Sequence, residues 1–375
     1  MRPGDQLFPQ EDGSLVVVLA PSQRLDLESM VRIAGRMQLV VQQPIVLGDA
    51  TVQITCCIGF CHARQVPGAS GRALLESAQI AVDEAMRHRP GAIRSYSHDL
   101  ALARSNRNAL RAGFAAAVEA GQIRAHFQPQ LSCDSGKVSG MEALVRWHHP
   151  ERGCLAPGEF LPALEGTDLM EILGREMLNQ ALAALVDWDR QGLSVPAVAV
   201  NFSPVELCDP QLPERLAWAL DAHGLAPRRL TIEVLESVVA GVSDDILRRN
   251  LGRIAALGCG IDLDDFGTGN ASITTIRHYT LRRLKIDRSF VRGVDHVRDQ
   301  QKLVTAILAL AEQLGLEALA EGVETQAEHA MLAQLGCAHV QGYVVAGPLP
   351  PDRVADWLGA HHQRLAQALI DMRAP

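Results

Sequence analysis

The chain has 375 residues, enough for two domains or for one barrel with a smaller appended domain. Hydrophobic residues make up 47% of it, which supports sizeable cores, and a formal net charge of -8 argues against a nucleic acid polymer as the main partner. Eight scattered cysteines without a zinc-site spacing, no signal peptide and no apolar run near roughly 18 residues predict a cytoplasmic protein without a membrane segment.

In the first hundred residues, short apolar stretches alternate with amphipathic ones, which predicts a small α/β sandwich. Strands are expected at 14–20, 52–59 and 91–96, and helices at 25–43 and 71–87. No polar cluster in this part of the sequence has the spacing of a catalytic site. Residues 97–120 carry apolar side chains at helical spacing, so a helix is expected to lead into the next domain.

The rest of the chain alternates strands with helices, which predicts an α/β fold of the TIM-like (β/α)8 barrel type. Strands are expected at 125–131, 138–147, 197–202, 230–235, 260–264, 283–286, 318–320 and 339–341. Helices are expected at 171–191, 212–223, 242–257, 300–314 and 326–335. Only residues 132–137 separate the first two strands, too few for a parallel crossover, so one barrel strand is predicted to run antiparallel.

The segment IDLDDFGTG at 261–269 places two adjacent carboxylates, Asp264 and Asp265, where a buried strand is predicted to end. Adjacent residues of an extended strand face opposite sides, so the two carboxylates share a site only where the backbone turns, which Gly267 and Gly269 permit. Two nearby carboxylates repel each other, and divalent metal between them keeps both ionised. A solvated acidic turn is the alternative interpretation.

Polar side chains recur near the ends of other barrel strands. Glu142, Leu144 and Arg146 alternate in the second strand and therefore face one side, where Glu142 would bind metal and Arg146 phosphate, unless the two form an ion pair. The other strands contribute Asn201, Glu233 with Glu236 three residues later, Lys285, Glu321 and Gln341. Because TIM-barrel active sites lie at one end of the strands, this distribution predicts a single active site.

The residue types at this predicted site suit one kind of chemistry. Oxygen ligands without histidine or cysteine favour Mg²⁺ or Mn²⁺ over zinc. Two such cations a few ångströms apart activate water near neutral pH and stabilise charge on both the attacking and the leaving oxygen of a phosphodiester. The sequence therefore predicts a metal-dependent phosphodiester hydrolase.

These residues resemble the EAL family of cyclic-di-GMP phosphodiesterases over about residues 110–358. The matching segments are FQPQ (127–130), EALVRW (142–147), PGEFLP (157–162), NFSP (201–204), EVLES (233–237), DDFGTG (264–269), LKID (284–287), EGVE (321–324) and QGY (341–343). The resemblance implies hydrolysis of cyclic-di-GMP to linear pGpG, with the protein acting as a homodimer through the barrel.

Carried over residue by residue, the resemblance implies two Mg²⁺ (or Mn²⁺) ions in one active site. The implied ligands are Glu142, Asn201, Glu233 and Asp264 for one metal, and Asp264, Asp265 and Glu321 for the other. The implied catalytic residues are Glu142, Lys285, which orients or activates the attacking water, and Glu321, which acts as base unless a metal-bound hydroxide does. Substrate contacts are implied for Gln128, Leu144, Arg146, Asp287 and Gln341, and Glu236 is implied to brace the loop after Asp265.

The first domain resembles the second half of a GGDEF diguanylate cyclase domain, in the CCIGF stretch and in ESAQIAVDEAMRHRPGAIRSYS. Where that family has its signature, this chain reads EDGSL at 11–15, and Pro9 stands at the position of the inhibitory-site arginine. A counterpart of the first strand and helix is also absent from the sequence. We therefore expect a truncated, degenerate GGDEF-like domain at 1–98, a linker helix at 99–109 and the EAL barrel at 110–375. We expect no cyclase activity, with residual nucleotide binding as the alternative to a regulatory or dimerising role.

Two positions depart from the EAL pattern, Leu235 in place of a threonine and Asn270 in place of an aromatic residue. Asn270 lies in the loop that contributes to the family's dimer interface, so it is expected to affect dimerisation or regulation. Every implied metal ligand is present, and we expect an active enzyme. The alternatives are a catalytically weak cyclic-di-GMP receptor or scaffold, and a hydrolase for another phosphodiester such as the linear dinucleotide.

Overall fold

The computed structural model describes residues 3–20, 26–48, 50–66, 68–88, 90–241, 245–269 and 273–371. It divides the chain into two compact units, Met1–Ala109 and Leu110–Pro375. In the described part of the chain, no helix is long and apolar enough to cross a membrane. Asn270 and the first three residues of the helix predicted at 242–257 lie outside the described residues.

The described residues of the first unit form three two-stranded sheets and two helices, with the beginning of a third helix. The antiparallel pairs are β1 (Gln6–Pro9) with β2 (Leu15–Val18) and β3 (Ile45–Leu47) with β4 (Ala50–Val52), and the parallel pair is β5 (Ile58–Phe60) with β6 (Ile93–Ser95). The helices are α1 (Leu27–Val41), α2 (Gly71–Met86) and α3 (His98–Glu119), of which α3 continues into the second unit.

Two features of the first unit differ from the sequence prediction. The single strand predicted at 52–59 is interrupted, because the Gln38 side chain of α1 donates hydrogen bonds to the carbonyl oxygens of Cys56 (2.9 Å) and Gly91 (2.7 Å). A side chain therefore satisfies backbone oxygens that a continuous ladder would otherwise pair. The strand predicted at 14–20 has an unpredicted partner in β1, and the turn between them contains Gly13 with a φ of 80°.

The second unit is an eight-stranded barrel with one extra strand, which confirms the predicted fold class. Its strands are β7 (Ile123–Ser132), β8 (Val138–His149), β9 (Gly153–Leu155), β10 (Val198–Asn201), β11 (Leu230–Leu235), β12 (Gly260–Phe266), β13 (Arg283–Ile286), β14 (Glu317–Ala320) and β15 (His339–Gln341). Six parallel pairings run from β8 through β10 to β15, and β7 closes the barrel antiparallel to both β15 and β8. The predicted antiparallel strand is thus β7, and the extra strand β9 pairs with β8 outside the closed ring.

Helices surround the barrel and bury their apolar faces against its strands. They are α4 (Pro157–Leu164), α5 (Leu169–Arg190), α6 (Pro204–Leu207), α7 (Leu212–Ala222), α8 (Glu236–Gly241), α9 (Asp245–Leu257), α10 (Ile273–Ile276), α11 (Arg288–Val291), α12 (Arg298–Leu314), α13 (Gln326–Gln334) and α14 (Pro351–Asp371). In β12, Ile261 and Leu263 belong to the shared apolar core, whereas the alternate residues Asp262 and Asp264 make polar contacts. This period of two directs alternate polar side chains into the barrel.

We predict that Gly59→Ala destabilises the first unit by about 1–3 kcal/mol, because an added methyl group is forced into a packed contact. A Cβ at Gly59 in β5 would lie 1.9 Å from the backbone nitrogen of Val82 in α2. The measurement is thermal unfolding followed by circular dichroism. The matched control is Gly35→Ala in α1, where no atom lies within 4 Å and the change is expected to stabilise by about 0.5–1 kcal/mol. A Gly59→Ala protein as stable as wild type would contradict the close packing of α2 on β5.

Candidate functional site

Lys285 lies at the centre of the candidate site, in β13, with its side chain only 1% exposed. Its Nζ is 2.8 Å from Oε1 of Glu233, 3.1 Å from Oδ1 of Asp264, 2.7 Å from Oε1 of Glu321 and 3.5 Å from Oε2 of Glu142. These four carboxylates come from four different elements of the barrel, so the fold itself assembles them. Four acids around one lysine leave an excess of negative charge in a buried place, which is costly unless cations compensate it.

Asp265 joins this group through an irregularity in β12. The pairing of β12 with β13 shifts register between Leu263 and Phe266, and Asp265 has a φ of 53°, the one positive value among the described non-glycine residues. The bulge turns the backbone, so that neighbouring residues no longer face strictly opposite sides. The strand therefore does not end at Asp264, as predicted, but continues to Phe266. We refer to Glu142, Glu233, Asp264, Asp265 and Glu321 as the acidic cluster.

Neutral side chains hold the Glu142 carboxylate from two sides. Asn201, the last residue of β10, donates from Nδ2 to Oε1 of Glu142 at 3.0 Å. Gln341 of β15 donates from Nε2 to Oε2 of Glu142 at 2.6 Å. Glu142 forms its ion pair with Lys285, and the described contacts of Arg146 contain no ion pair with Glu142. The alternative ion pair considered for β8 is therefore wrong.

Burial and neighbouring charges shift the pKa values of three side chains in the site. Burial raises the pKa of Glu233 well above its ordinary value, and the nearby Glu142 charge adds to this. Burial likewise raises the pKa of Glu321, to about 8, despite the nearby Lys285 cation. Burial acts to lower the pKa of Lys285, but the surrounding carboxylates outweigh it and raise that pKa well above its usual range. Lys285 is therefore held as a cation.

The acidic cluster fits a hard divalent cation. Asp264, Asp265 and Glu321 each offer a carboxylate oxygen, and these oxygens lie within 4.8 Å of one another. One carboxylate oxygen of Glu233, Oε2, is buried without a hydrogen bond, while Oε1 contacts the Lys285 ammonium. A buried carboxylate oxygen without a donor is one that an oxygen-binding cation would satisfy. The residues present can therefore hold metal.

The residues implied to contact substrate differ in their burial and in their hydrogen-bond partners. Leu144 and Arg146 follow Glu142 at intervals of two along β8 and are half-buried, with Arg146 bonded to the carbonyl oxygen of Val145. The Gln128 amide accepts from Gln341 and donates to the Ala346 carbonyl oxygen. Asp287 instead caps α11 by accepting from the Ser289 amide at 2.9 Å. Leu235 ends β11 in register with Asp264 and is 37% exposed.

Three buried residues below the cluster were not singled out from the sequence. They are Gln130 in β7, Asp262 in β12 and Arg283 in β13, and they are joined by hydrogen bonds of 2.8 and 3.0 Å. Asp262 and Arg283 precede Asp264 and Lys285 by two residues, so the period of a strand places them on the same face. The alternation of side chains along a strand would have predicted that Asp262 and Arg283 share a face with Asp264 and Lys285.

Glu236, the first residue of α8, holds the loop that follows Asp265. Its Oε2 accepts hydrogen bonds from the backbone N–H groups of Gly267 (2.7 Å) and Gly269 (3.1 Å). A Cβ at Gly269 would lie 2.9 Å from the Glu236 carboxyl carbon, so glycine permits this close approach. The carboxylate thereby ties the backbone next to Asp265 to the end of the neighbouring strand.

We predict that Glu236→Ala weakens binding of Mn²⁺ to the acidic cluster about 10-fold, since residues that hold a metal-binding side chain in place typically have effects of that size. The substitution leaves two loop N–H groups without their acceptor and frees the backbone beside Asp265. The measurement is the dissociation constant for Mn²⁺, from the electron paramagnetic resonance signal of free Mn²⁺. Glu236→Gln is the matched control, because it retains an acceptor oxygen, and it is expected to stay near wild type. Equal affinities for both variants and wild type would show that the loop does not need this anchor.

A cavity of about 940 Å³ opens at the other end of the barrel, where β10 to β13 begin. Its lining includes Ala197, Arg229, Gly260 and Arg282. No residue of the acidic cluster lines it. The chemistry of the side chains therefore assigns the candidate site to the carboxyl ends of the strands, as in other barrels of this type.

The family described as EAL domain matches residues 108–348, which includes every residue of the acidic cluster. The chain is 30% identical over 356 residues to the oxygen sensor protein DosP of Escherichia coli, covering 95% of this chain and 44% of DosP. It is 37% identical over 238 residues to the bifunctional diguanylate cyclase/cyclic di-GMP phosphodiesterase MucR of Pseudomonas aeruginosa, covering 64% of this chain and 35% of MucR. The chain spans less than half the length of either relative.

Two solved structures show the same barrel. The PaMucR phosphodiesterase in its c-di-GMP complex is 36% identical, with a TM-score of 0.62, and the match covers 66% of this chain and 99% of that one. The FimX EAL domain from Pseudomonas aeruginosa bound to c-di-GMP is 26% identical, with a TM-score of 0.58, and covers 64% of this chain and 96% of that one.

Proposed function

The chain belongs to the EAL domain family, and we propose from this premise that it is a Mg²⁺-dependent phosphodiesterase that hydrolyses cyclic-di-GMP to linear pGpG. The observation that carries the proposal is the convergence of four carboxylates, from β8, β11, β12 and the residue after β14, within 3.5 Å of the buried Lys285 ammonium. The complexes of MucR and FimX with c-di-GMP support the choice of substrate.

Two Mg²⁺ (or Mn²⁺) ions are proposed, one held by Glu142, Asn201, Glu233 and Asp264 and the other by Asp264, Asp265 and Glu321. When bound, such cations make water acidic enough to lose a proton near neutral pH and neutralise charge on a phosphodiester. The separation of oxygens in the Asp264, Asp265 and Glu321 group supports at least one such site.

The residues of the chain have distinct tasks in this reaction. Lys285 is cationic and donates a hydrogen bond that orients the attacking water. Glu321 is proposed to accept a proton from that water. The water oxygen bonds to phosphorus as one phosphorus–oxygen bond of the ring breaks. The proton held by Glu321 passes to solvent, and the departing oxygen takes up a proton from solvent. Gln128, Leu144 and Arg146 are proposed to bind the dinucleotide, as the family resemblance implies.

The test is product formation from cyclic-di-GMP by purified wild-type protein with Mg²⁺, beside Glu142→Ala and a metal-free control. Formation of pGpG by wild type, with both controls at least about 100-fold slower, is the expected result because each control removes part of the metal site. Binding of the dinucleotide without turnover would favour the receptor or scaffold. Faster turnover of the linear dinucleotide than of the cyclic one would favour a different phosphodiester as substrate.

We propose that the first unit is a truncated, degenerate GGDEF-like domain without catalytic activity, which regulates the barrel or promotes dimerisation. The alignment with DosP covers 95% of this chain and so extends beyond the barrel, which supports a shared domain arrangement. Linker residues 99–109 fall within α3. A homodimer through the barrel is proposed from the family resemblance, and analytical ultracentrifugation would test it.

A cytoplasmic location is also part of the proposal. None of the eight cysteines forms a disulfide, and four of them are half-buried in the barrel or buried in its core: Cys133, Cys208, Cys259 and Cys337. Free thiols in this number suit a reducing compartment. Fractionation of the cells that make the protein would test the location directly.

A further inference from the structure

A buried ion pair lies inside the barrel directly beneath the acidic cluster. Arg283 and Asp262 are 2% and 0% exposed, and Arg283 donates from Nε to Oδ2 of Asp262 at 2.8 Å. They precede Lys285 and Asp264 by two residues on the same strands. Apolar side chains of similar volume would often stabilise a core as well as such a pair does, so the pair needs a reason beyond stability.

Arg283 also sets the orientation of a neighbouring amide. Its Nη2 lies 3.0 Å from Oε1 of Gln130, whose side chain is fully buried. A guanidinium group only donates hydrogen bonds, so the Gln130 oxygen must face it and the Gln130 NH₂ group must face the other way. That NH₂ group donates to Oε1 of Gln341 at 2.9 Å. The orientation of the first amide thus determines that of the second.

The second amide, that of Gln341, donates a hydrogen bond to a residue of the acidic cluster. Because Oε1 of Gln341 accepts from Gln130, the NH₂ group of Gln341 points at Glu142 and donates to its Oε2 at 2.6 Å. The same NH₂ group lies 3.2 Å from Oε1 of Gln128. If Gln341 turned over, an amide oxygen would face two further oxygens, which is repulsive. Every hydrogen bond from Arg283 to Glu142 therefore runs in one direction.

We propose that Arg283 is a positioning residue that acts through Gln130 and Gln341 to hold the Glu142 carboxylate in the orientation that metal binding requires. We call the three residues the amide relay. This inference rests on the proposed function, in which Glu142 is a metal ligand. Groups that orient metal ligands typically change metal affinity or activity 10- to 100-fold when they are removed.

The first test variant is the double substitution Arg283→Met with Asp262→Leu. It removes both charges together, so that neither is left buried alone, and it removes the donor that fixes Gln130. We expect the dissociation constant for Mn²⁺ to rise about 10-fold, measured without substrate from the electron paramagnetic resonance signal of free Mn²⁺, and kcat to fall by about the same factor. An affinity within twofold of wild type would overturn the proposal.

The second variant, Gln130→Leu, interrupts the amide relay while the ion pair stays intact. It is expected to weaken Mn²⁺ binding as much as the double variant does. Combining all three substitutions should add nothing further, since they break one chain of contacts, whereas independent effects would multiply to about 100-fold. Multiplied effects would overturn the relay. If one variant is too unstable to purify, the affinity of the other alone still tests the proposal, because each is expected to weaken Mn²⁺ binding about 10-fold.

Thr231→Val is the matched control inside the same barrel. Thr231 of β11 is 1% exposed and its hydroxyl has no hydrogen bond, so the change alters a buried polar group without touching the relay. Its Mn²⁺ affinity should equal that of wild type, and an equal loss there would overturn the specific role of Arg283. Failure of the proposed function can be distinguished from failure of this inference. The first would appear as wild-type protein that does not hydrolyse cyclic-di-GMP, whereas the Mn²⁺ affinities are compared among variants without any substrate.

Discussion

Lys285→Met is expected to abolish hydrolysis of cyclic-di-GMP and to destabilise the metal-free protein at the same time. Removing one partner of a buried charge pair costs about 3–5 kcal/mol, and here one lysine faces four carboxylates. We expect the midpoint of thermal unfolding in EDTA to fall by about 5–15 °C. Turnover should fall by about 10²–10⁴, since the side chain that orients the attacking water is lost.

The same substitution at an exposed lysine provides the control. Lys302 is 77% exposed and pairs with Asp299 on the surface of α12, so Lys302→Met should change stability by at most about 0.5 kcal/mol. Added Mg²⁺ should raise the unfolding midpoint of Lys285→Met more than that of wild type, because wild type already has a cation among the carboxylates. Equal stability of the two variants in EDTA would mean that Lys285 does not compensate the acidic cluster.

Most of the barrel was predictable, because its signals are local. The short connection at 132–137 correctly predicted an antiparallel strand, and alternation of apolar and polar residues located all eight strands of the ring. The bulge at Asp264 and Asp265 was not predictable in the same way. It depends on how β12 pairs with β13, whose residues lie about twenty positions further along the chain, and on a positive φ that aspartate tolerates better than bulkier residues do.

The candidate site was predictable as a set of residues but not as a set of contacts. Glu142, Glu233, Asp264, Asp265, Lys285 and Glu321 do lie together, because the parallel strands end at one edge of the barrel. The amide relay escaped the sequence analysis because its hydrogen bonds join residues 153 and 211 positions apart. Asp287 shows the opposite problem, since the motif that contains it does not reveal that its carboxylate caps a helix.

Both expected effects of removing Lys285 have one origin. The acidic cluster is proposed to hold cations, and in the metal-free protein repulsion among its carboxylates adds to burial in raising the pKa of Glu233 and of Glu321. Arrangements of this kind lower stability where function requires it. Substitutions that relieve the charge should therefore stabilise the metal-free protein and damage the enzyme, which is the reverse of what removing Lys285 does to stability.

Glu233→Gln is expected to show both effects, a more stable metal-free protein and a less active enzyme. Glu233 is 1% exposed, its Oε1 lies 2.8 Å from the Lys285 ammonium, and burial with the charge of Glu142 raises its pKa well above the ordinary value. A neutral amide of the same shape can still accept from Lys285 and can donate to Glu142. We expect the unfolding midpoint in EDTA to rise by about 2–5 °C, a gain of about 1–2 kcal/mol. The stabilisation by Mg²⁺ should shrink, and turnover should fall by about 10²–10⁴ as a cation ligand is lost.

The control for this variant is Glu312→Gln on the exposed surface of α12, which should leave stability and turnover unchanged, as surface substitutions usually do. A lower midpoint for Glu233→Gln in EDTA would mean that its ion pair with Lys285 outweighs the repulsion among the carboxylates. If Mg²⁺ raised the unfolding midpoint of Glu233→Gln as much as that of wild type, Glu233 would not be a metal ligand. Stabilisation in EDTA, loss of turnover and a smaller rise of the midpoint with Mg²⁺ are together the outcome expected of a buried carboxylate that binds a cation.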